Sequence, residues 1–192
     1  MDLVAATWNI MGANSTAKRQ ALQLFFKDLN CNIVCLQETK IEGISSALVT
    51  EILGPRFGRS FLCLPAVGTC GGVLIAVSDD FDLVLESAVP SRFSVTGHVT
   101  HRADLTTWML TAVYGPQEDA AKSEFLQEIR LIKNVVQNKW MVLGDFNLIS
   151  SAEDKNNGNI NLRMMGQFRA LIGCRGVDIC LKIGGIGYKH AH

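Results

Sequence analysis

Apolar and polar positions change period several times along the chain, and each change marks an element. Leu3 to Asn9 is a short apolar run that ends in polar residues, which predicts a buried strand. Ser15 or Thr16 then caps a helix to about Leu29, with Leu22, Phe25, Phe26 and Leu29 spaced for one buried face. Asn32 to Gln37 is too brief for a helix and predicts a second strand. A weaker helix covers Ser45 to Leu53 and is stopped by Gly54-Pro55. A β-rich section follows, with strands over Phe61–Leu64, Gly72–Val77, Leu83–Val89, Ser94–Thr100 and Leu105–Tyr114. Alternation is plain in Thr107 to Val113, and Gly, Pro, Asp and Ser punctuate the gaps.

Helical periodicity returns from Ala120 to about Gln137, with Phe125, Leu126, Ile129, Ile132 and Val136 on one side. Trp140 to Leu143 is a buried strand closed by Gly144-Asp145-Phe146-Asn147. A polar loop leads to a helix from about Leu162 to Ile172. The tail, Val177 to His192, starts as a strand and turns Gly-rich at Gly184-Gly185-Ile186-Gly187. There is no internal repeat, low-complexity tract or linker. Helix–strand units bracketing a run of antiparallel strands predict an α/β fold. It has two mixed β-sheets packed together with helices outside, within one domain over residues 1–192.

Composition narrows the class. Hydrophobic residues make up 48% and charged residues 19%, far from a disordered chain. Lys+Arg and Asp+Glu each number 18, for a net charge of +0, which excludes a coat that holds nucleic acid by bulk charge. Contact with a nucleic-acid backbone must then rest on a local patch or a bound cation. Cys31, Cys35, Cys63, Cys70, Cys174 and Cys180 form no Cys-x-x-Cys pair and have no His at zinc-finger spacing. They read as reduced thiols of an intracellular protein, nuclear or cytoplasmic. Met1-Asp2 leads directly into sheet-like sequence, so no secretory signal is expected, and no apolar stretch is long enough to cross a bilayer. Neither a membrane nor an obligate protein partner is indicated.

Three strands deliver polar residues at their C-terminal ends: Trp8-Asn9, Leu36-Gln37-Glu38-Thr39-Lys40, and Leu143-Gly144-Asp145-Phe146-Asn147. Singly, each has a plainer reading. Asn9 or Asp145 alone suits a turn that stabilises its own backbone, and Glu38 alone suits a solvated strand edge. Jointly they carry more weight, because strand ends in α/β folds converge on a ligand crevice. Two carboxylates and amide side chains meeting there make a hard, oxygen-rich site suited to Mg²⁺ or Mn²⁺.

Asn9 in Thr7-Trp8-Asn9-Ile10, Glu38 in Gln37-Glu38-Thr39-Lys40, Tyr114 in Val113-Tyr114-Gly115-Pro116, and Gly144-Asp145-Phe146-Asn147 resemble, in order, the signatures of the endonuclease/exonuclease/phosphatase superfamily. The segments Asp145 to Ile149, Glu153 to Asn157, Asn161 to Arg169, and Thr107 through Gln117 to Phe125–Glu128 look like the endonuclease domain of plant LINE-type, non-LTR retrotransposons. The resemblance spans the chain to about Asp178. It implies a four-layer α/β sandwich and a Mg²⁺-dependent phosphodiester hydrolase with DNA as substrate. It further implies that Glu38 holds the metal, that Asp145 orients or deprotonates the attacking water, and that Asn147 and Asn9 position the phosphate and the ligands. Tyr114 would donate to a phosphate oxygen as charge builds.

The family pattern continues through a strand bearing Thr/Ser-Trp-x-Asn, an Asp-containing strand and Ser-Asp-His. Here Gly187-Tyr188-Lys189-His190-Ala191-His192 stands where the Trp-bearing strand would begin, and no Asp-His dipeptide occurs. The resemblance therefore implies a domain lacking its last strands, with one sheet short, an unpaired edge, marginal stability and impaired catalysis. His98 and His101 read as ordinary residues at a strand end, and His190 and His192 as part of a frayed tail. A phosphatase acting on lipid or inositol phosphates and a non-catalytic nucleic-acid-binding remnant are the alternatives.

Overall fold

The computed structural model describes residues 3–68, 70–136, 139–149 and 161–173, and the backbone of 177–181 and 186–191. Ten strands, four α-helices and one short 3-10 helix (Pro55–Phe57) are assigned among these. The first half runs β1 (Leu3–Asn9), α1 (Thr16–Leu29), β2 (Ile33–Gln37), α2 (Ser46–Leu53), β3 (Ser60–Val67), β4 (Cys70–Val77) and β5 (Phe81–Leu85). The second runs β6 (Ser94–His101), β7 (Thr107–Tyr114), α3 (Asp119–Val135), β8 (Trp140–Asp145), α4 (Leu162–Ile172), β9 (Val177–Leu181) and β10 (Ile186–Ala191). The strand predicted over Leu83–Val89 begins two residues earlier and ends at Leu85. Expectations on the 150–160 loop lie outside the described residues.

The strands make two five-stranded mixed sheets, in the orders β10-β1-β2-β4-β3 and β5-β6-β7-β8-β9. Period-two alternation sorts the side chains of β1 to β8 between two faces. Ala5, Ile33, Cys35, Ile75, Leu110, Ala112 and Leu143 face the opposing sheet. Ala6, Val34, Leu36 and Leu74 face α1 and α2 together with Leu22, Phe26, Val49 and Ile52. Met109, Val113, Trp140 and Val142 face α3 and α4 with Phe125, Ile129, Ile132 and Phe168. The expected α/β/β/α layering is therefore present, each interface being an apolar cluster whose buried aliphatic side chains contribute roughly 1.5–3 kcal/mol apiece. Caps set the helix starts: Ser15 Oγ accepts from Lys18 N at 3.3 Å and Ser45 Oγ from Leu48 N at 3.3 Å.

Two parallel pairs position the site. Helix α1 returns the chain from β1 to β2, which run parallel with Asn9 opposite Gln37. Helix α3 returns it from β7 to β8, parallel with Tyr114 opposite Asp145. Among the described residues Cys31, Cys35 and Cys63 carry thiols rather than disulfides. None of the described helices is long and apolar enough to cross a membrane.

The tail departs from expectation. Ile186–Ala191, read as frayed, forms β10 and pairs antiparallel with β1 from Trp8 to Leu3. β1 thus has a neighbour on both sides, and among the described strands neither sheet is the shorter. The Gly-rich approach at Gly184-Gly185 hides this strand from a periodicity argument, because glycine carries no side-chain pattern.

Candidate active site

Alternation determines which side chains reach the end of the sandwich. Leu3 and Ala5 point into the inter-sheet core, so Asn9 ends β1 on that face. Trp108, Leu110 and Ala112 place Tyr114 there from the opposing sheet, and Met141 and Leu143 place Asp145 there. Glu38 breaks the rule. Its parity matches Val34 and Leu36, which face the helices. Its backbone turns left-handed, at φ 51°, a conformation that costs a non-glycine residue about 1 kcal/mol or more. That turn swings the carboxylate back over the inter-sheet end.

The four side chains form one hydrogen-bonded network across the two sheets. Asn9 Nδ2 donates to Glu38 Oε1 at 2.8 Å and to Asp145 Oδ2 at 3.4 Å. The Tyr114 hydroxyl donates to Glu38 Oε1 at 2.6 Å. All four residues are half-buried. Burial is the largest influence on Tyr114, followed by its bond to Glu38 and the charges of Glu38 and Asp145. All of these raise its pKa, while a hydrogen bond from Gln117 opposes them. The phenol therefore stays protonated, and a donor, throughout the neutral range.

The loops that carry these residues are fastened to each other. Asn9 Oδ1 accepts from Met11 N at 3.2 Å, Gly12 N donates to Glu38 O at 2.6 Å, and Ala13 N donates to Thr39 O at 2.9 Å. Gly144 has φ 141°, and a Cβ there would lie 2.1 Å from Val113 O. Only glycine lets β8 approach β7 so closely just before Asp145.

The sequence model described as the endonuclease/exonuclease/phosphatase family matches residues 6–187. The chain belongs to this family. No curated protein matches it by sequence. Among solved structures it is similar to the endonuclease domain of TRAS1, a telomere-specific non-LTR retrotransposon, at 15% identity and TM-score 0.63, over 90% of this chain and 72% of that one. It is equally similar to the AP endonuclease LMAP from Leishmania major, at 15% identity and TM-score 0.63, over 90% of this chain and 66% of that one. An AP endonuclease from Archaeoglobus fulgidus matches at 17% identity and TM-score 0.63, over 89% of this chain and 70% of that one. Such low identities establish the shared fold. The chain spans about two thirds of the length of the Leishmania enzyme.

In this endonuclease/exonuclease/phosphatase chain the sequence-derived residues do not all meet in the same way. Asn147 joins through its backbone, its N–H reaching Asp145 Oδ1 at 3.1 Å, while its Nδ2 donates to Gly115 O at 2.6 Å. It ties the β8 exit to the β7 exit, in a left-handed conformation at φ 48°. His98 and His101 stay away from the network, as expected: they pair with Glu86 and Asp104, each at 2.9 Å, and lie opposite Met109 and near Thr107 on β7. His190 lies opposite Val4, five residues along β1 from Asn9 and about 16 Å away at strand rise. It does not belong to this end of the sheet.

Two contributors carry little sequence signal. Gln37 is fully buried beneath the network, and its Nε2 donates to Thr7 Oγ1 at 2.9 Å and to Cys35 O at 3.3 Å, tying β1 to β2. Gln117 bonds the Tyr114 hydroxyl from a loop that reads only as a turn after Gly115-Pro116. Among the described residues no three His, Cys, Asp or Glu side chains converge. A cation at this end would rest on the Glu38 and Asp145 carboxylates, with water completing its shell. The donor set fits a hard divalent ion: oxygen ligands only, and few of them, as Mg²⁺ accepts.

Proposed function

We propose that this chain is a Mg²⁺-dependent phosphodiester hydrolase of the endonuclease type that acts on DNA, derived from a plant LINE-type non-LTR retrotransposon. One observation carries the reading: Asn9, Glu38, Tyr114 and Asp145 form a single network at the paired ends of β1, β2, β7 and β8. Two of the four are carboxylates and none is cationic, so a phosphodiester anion would be repelled unless a cation neutralised the site. Mg²⁺ or Mn²⁺ would be held by Glu38 with Asp145, where it supplies charge neutralisation and Lewis-acid stabilisation of the leaving oxygen.

The chain's own residues have distinct roles in this reading. Asp145, with Oδ1 fixed by Asn147 N and Oδ2 by Asn9, orients the attacking water and accepts its proton. Tyr114, kept protonated, shifts its hydrogen bond from Glu38 toward a phosphate oxygen as negative charge builds. Asn9 bridges the two carboxylates and keeps them in register through its amide nitrogen. The retroelement assignment is supported by the segments around Asp145–Ile149 and Asn161–Arg169.

Nicking of supercoiled plasmid tests the reading. Relaxed circles should accumulate with Mg²⁺, stop with chelator, and fall at least 100-fold in Glu38→Ala. Release of phosphate from inositol or lipid phosphates without nicking would assign the site to a phosphatase. Steeply salt-dependent DNA binding with no cleavage at all would leave a binding remnant.

A further inference from the structure

Tyr114 is held from a direction that its own hydroxyl network does not explain. Its backbone N–H donates to Phe93 O at 2.9 Å, which extends the β6–β7 ladder beyond Ser94. Phe93 precedes β6 in a short loop, and that loop is gripped by one buried side chain on α3. Glu128 is 5% exposed. Its carboxylate accepts from Ser94 Oγ at 2.5 Å, from Phe93 N at 3.2 Å and from Arg92 N at 3.2 Å. The Phe93 ring also stacks edge-on to Phe125 of the same helix at 5.7 Å. Glu128 touches nothing in the Asn9–Glu38–Tyr114–Asp145 network. A carboxylate is a costly group to bury for packing alone, and here three donors from consecutive residues are spent on it.

We infer that Glu128 is a positioning residue for Tyr114, acting through residues 92–94; this rests on Tyr114 serving the phosphodiester site. The relay has three links. The carboxylate fixes the Phe93 peptide, the Phe93 carbonyl fixes the Tyr114 N–H, and that bond sets where β7 ends. The end of β7 in turn fixes the phenol against Glu38. Glutamine at position 128 has the same shape but keeps only one acceptor oxygen and turns an NH₂ toward a donor in place of the other, so the grip on residues 92–94 is weakened while the core keeps its volume.

The experiment uses the full chain labelled with ¹⁵N-tyrosine, which has only two tyrosines, Tyr114 and Tyr188. Glu128→Gln is compared with Ser94→Ala, which removes one donor and keeps the carboxylate, and with Ile129→Val, a neighbouring core change that leaves the relay intact. We expect the Tyr114 amide to exchange at least 10-fold faster in Glu128→Gln than in Ile129→Val, with a smaller increase in Ser94→Ala. In nicking assays kcat should fall about 10-fold with KM unchanged. A Tyr114 amide that behaves alike in Glu128→Gln and Ile129→Val overturns the relay, whether or not the wild-type chain cleaves DNA. A faster Tyr114 amide with an unchanged nicking rate upholds the link to Tyr114 but overturns the part assigned to Tyr114 in hydrolysis.

Discussion

Asn9→Asp inverts the chemistry that holds the two sheets together at the site. The amide donates from one nitrogen to both Glu38 and Asp145. Aspartate removes both hydrogen bonds and adds a third carboxylate beside the two already there. At an effective dielectric of about 20, two unit charges about 4 Å apart repel by about 4 kcal/mol. Asn9 is half-buried, so solvent reduces each of the two repulsions to about 1 kcal/mol. Loss of the donor adds about 1–2 kcal/mol. The expected destabilisation is therefore about 3–4 kcal/mol, against about 1–2 kcal/mol for Asn9→Ala, which loses the donor and the exposed acceptor of Met11 N but adds no charge. Urea unfolding followed by circular dichroism separates the two contributions. In low salt the Asn9→Asp midpoint should lie well below that of Asn9→Ala. About 1 M NaCl, with a Debye length of about 3 Å, should recover much of that gap. Equal midpoints for the two variants at both salt concentrations would refute the bridging role of Asn9.

Three further outcomes follow from the same structure. Gly144→Ala should cost at least about 3 kcal/mol in urea unfolding, since its Cβ would meet backbone, Val113 O at 2.1 Å, in a left-handed conformation. Trp140→Phe should cost about 1–3 kcal/mol, because it strips the donor from Thr111 Oγ1, held at 2.9 Å in the buried layer, while keeping most of the ring packing. Burial, the largest influence on Glu128, raises its pKa, against the lowering donors Ser94, Phe93 and Arg92. The folded state thus takes up this proton before the unfolded state does. Wild type should gain stability relative to Glu128→Gln as pH falls through the folded pKa, with the gain complete below the unfolded value of about 4.3. Urea midpoints at pH 7 and pH 4 measure it.

The layering was legible because period two and period 3.6 are visible in residue type. Ala5 and Ala6, or Val34 and Cys35, go to opposite faces by position alone. The strand-end motifs were legible for the same reason: an apolar run that stops at Asn9, Glu38 or Asp145 must stop somewhere polar. What alternation does not supply is the left-handed turn at Glu38, which reverses the face its parity assigns. The outcome depends on partners 29 and 76 residues away, Asn9 and Tyr114. Nor does alternation supply the bond from the Asn147 side-chain amide to Gly115 O, which ties the β8 exit to the β7 exit. Glu128 left a signal that went unread. It falls on the same helical face as Phe125 and Ile132, three residues after one and four before the other, where a charge has to be answered.

The most direct measurement of the central claim is Mn²⁺ binding followed by electron paramagnetic resonance on the full chain. If the Asn9–Glu38–Tyr114–Asp145 cluster is a cation-dependent phosphodiester site, one Mn²⁺ should bind per chain and be displaced by Mg²⁺. Binding should be lost in the Glu38→Gln, Asp145→Asn double variant, whose helical circular dichroism should remain that of wild type. An unchanged Mn²⁺ isotherm in that double variant would contradict the account.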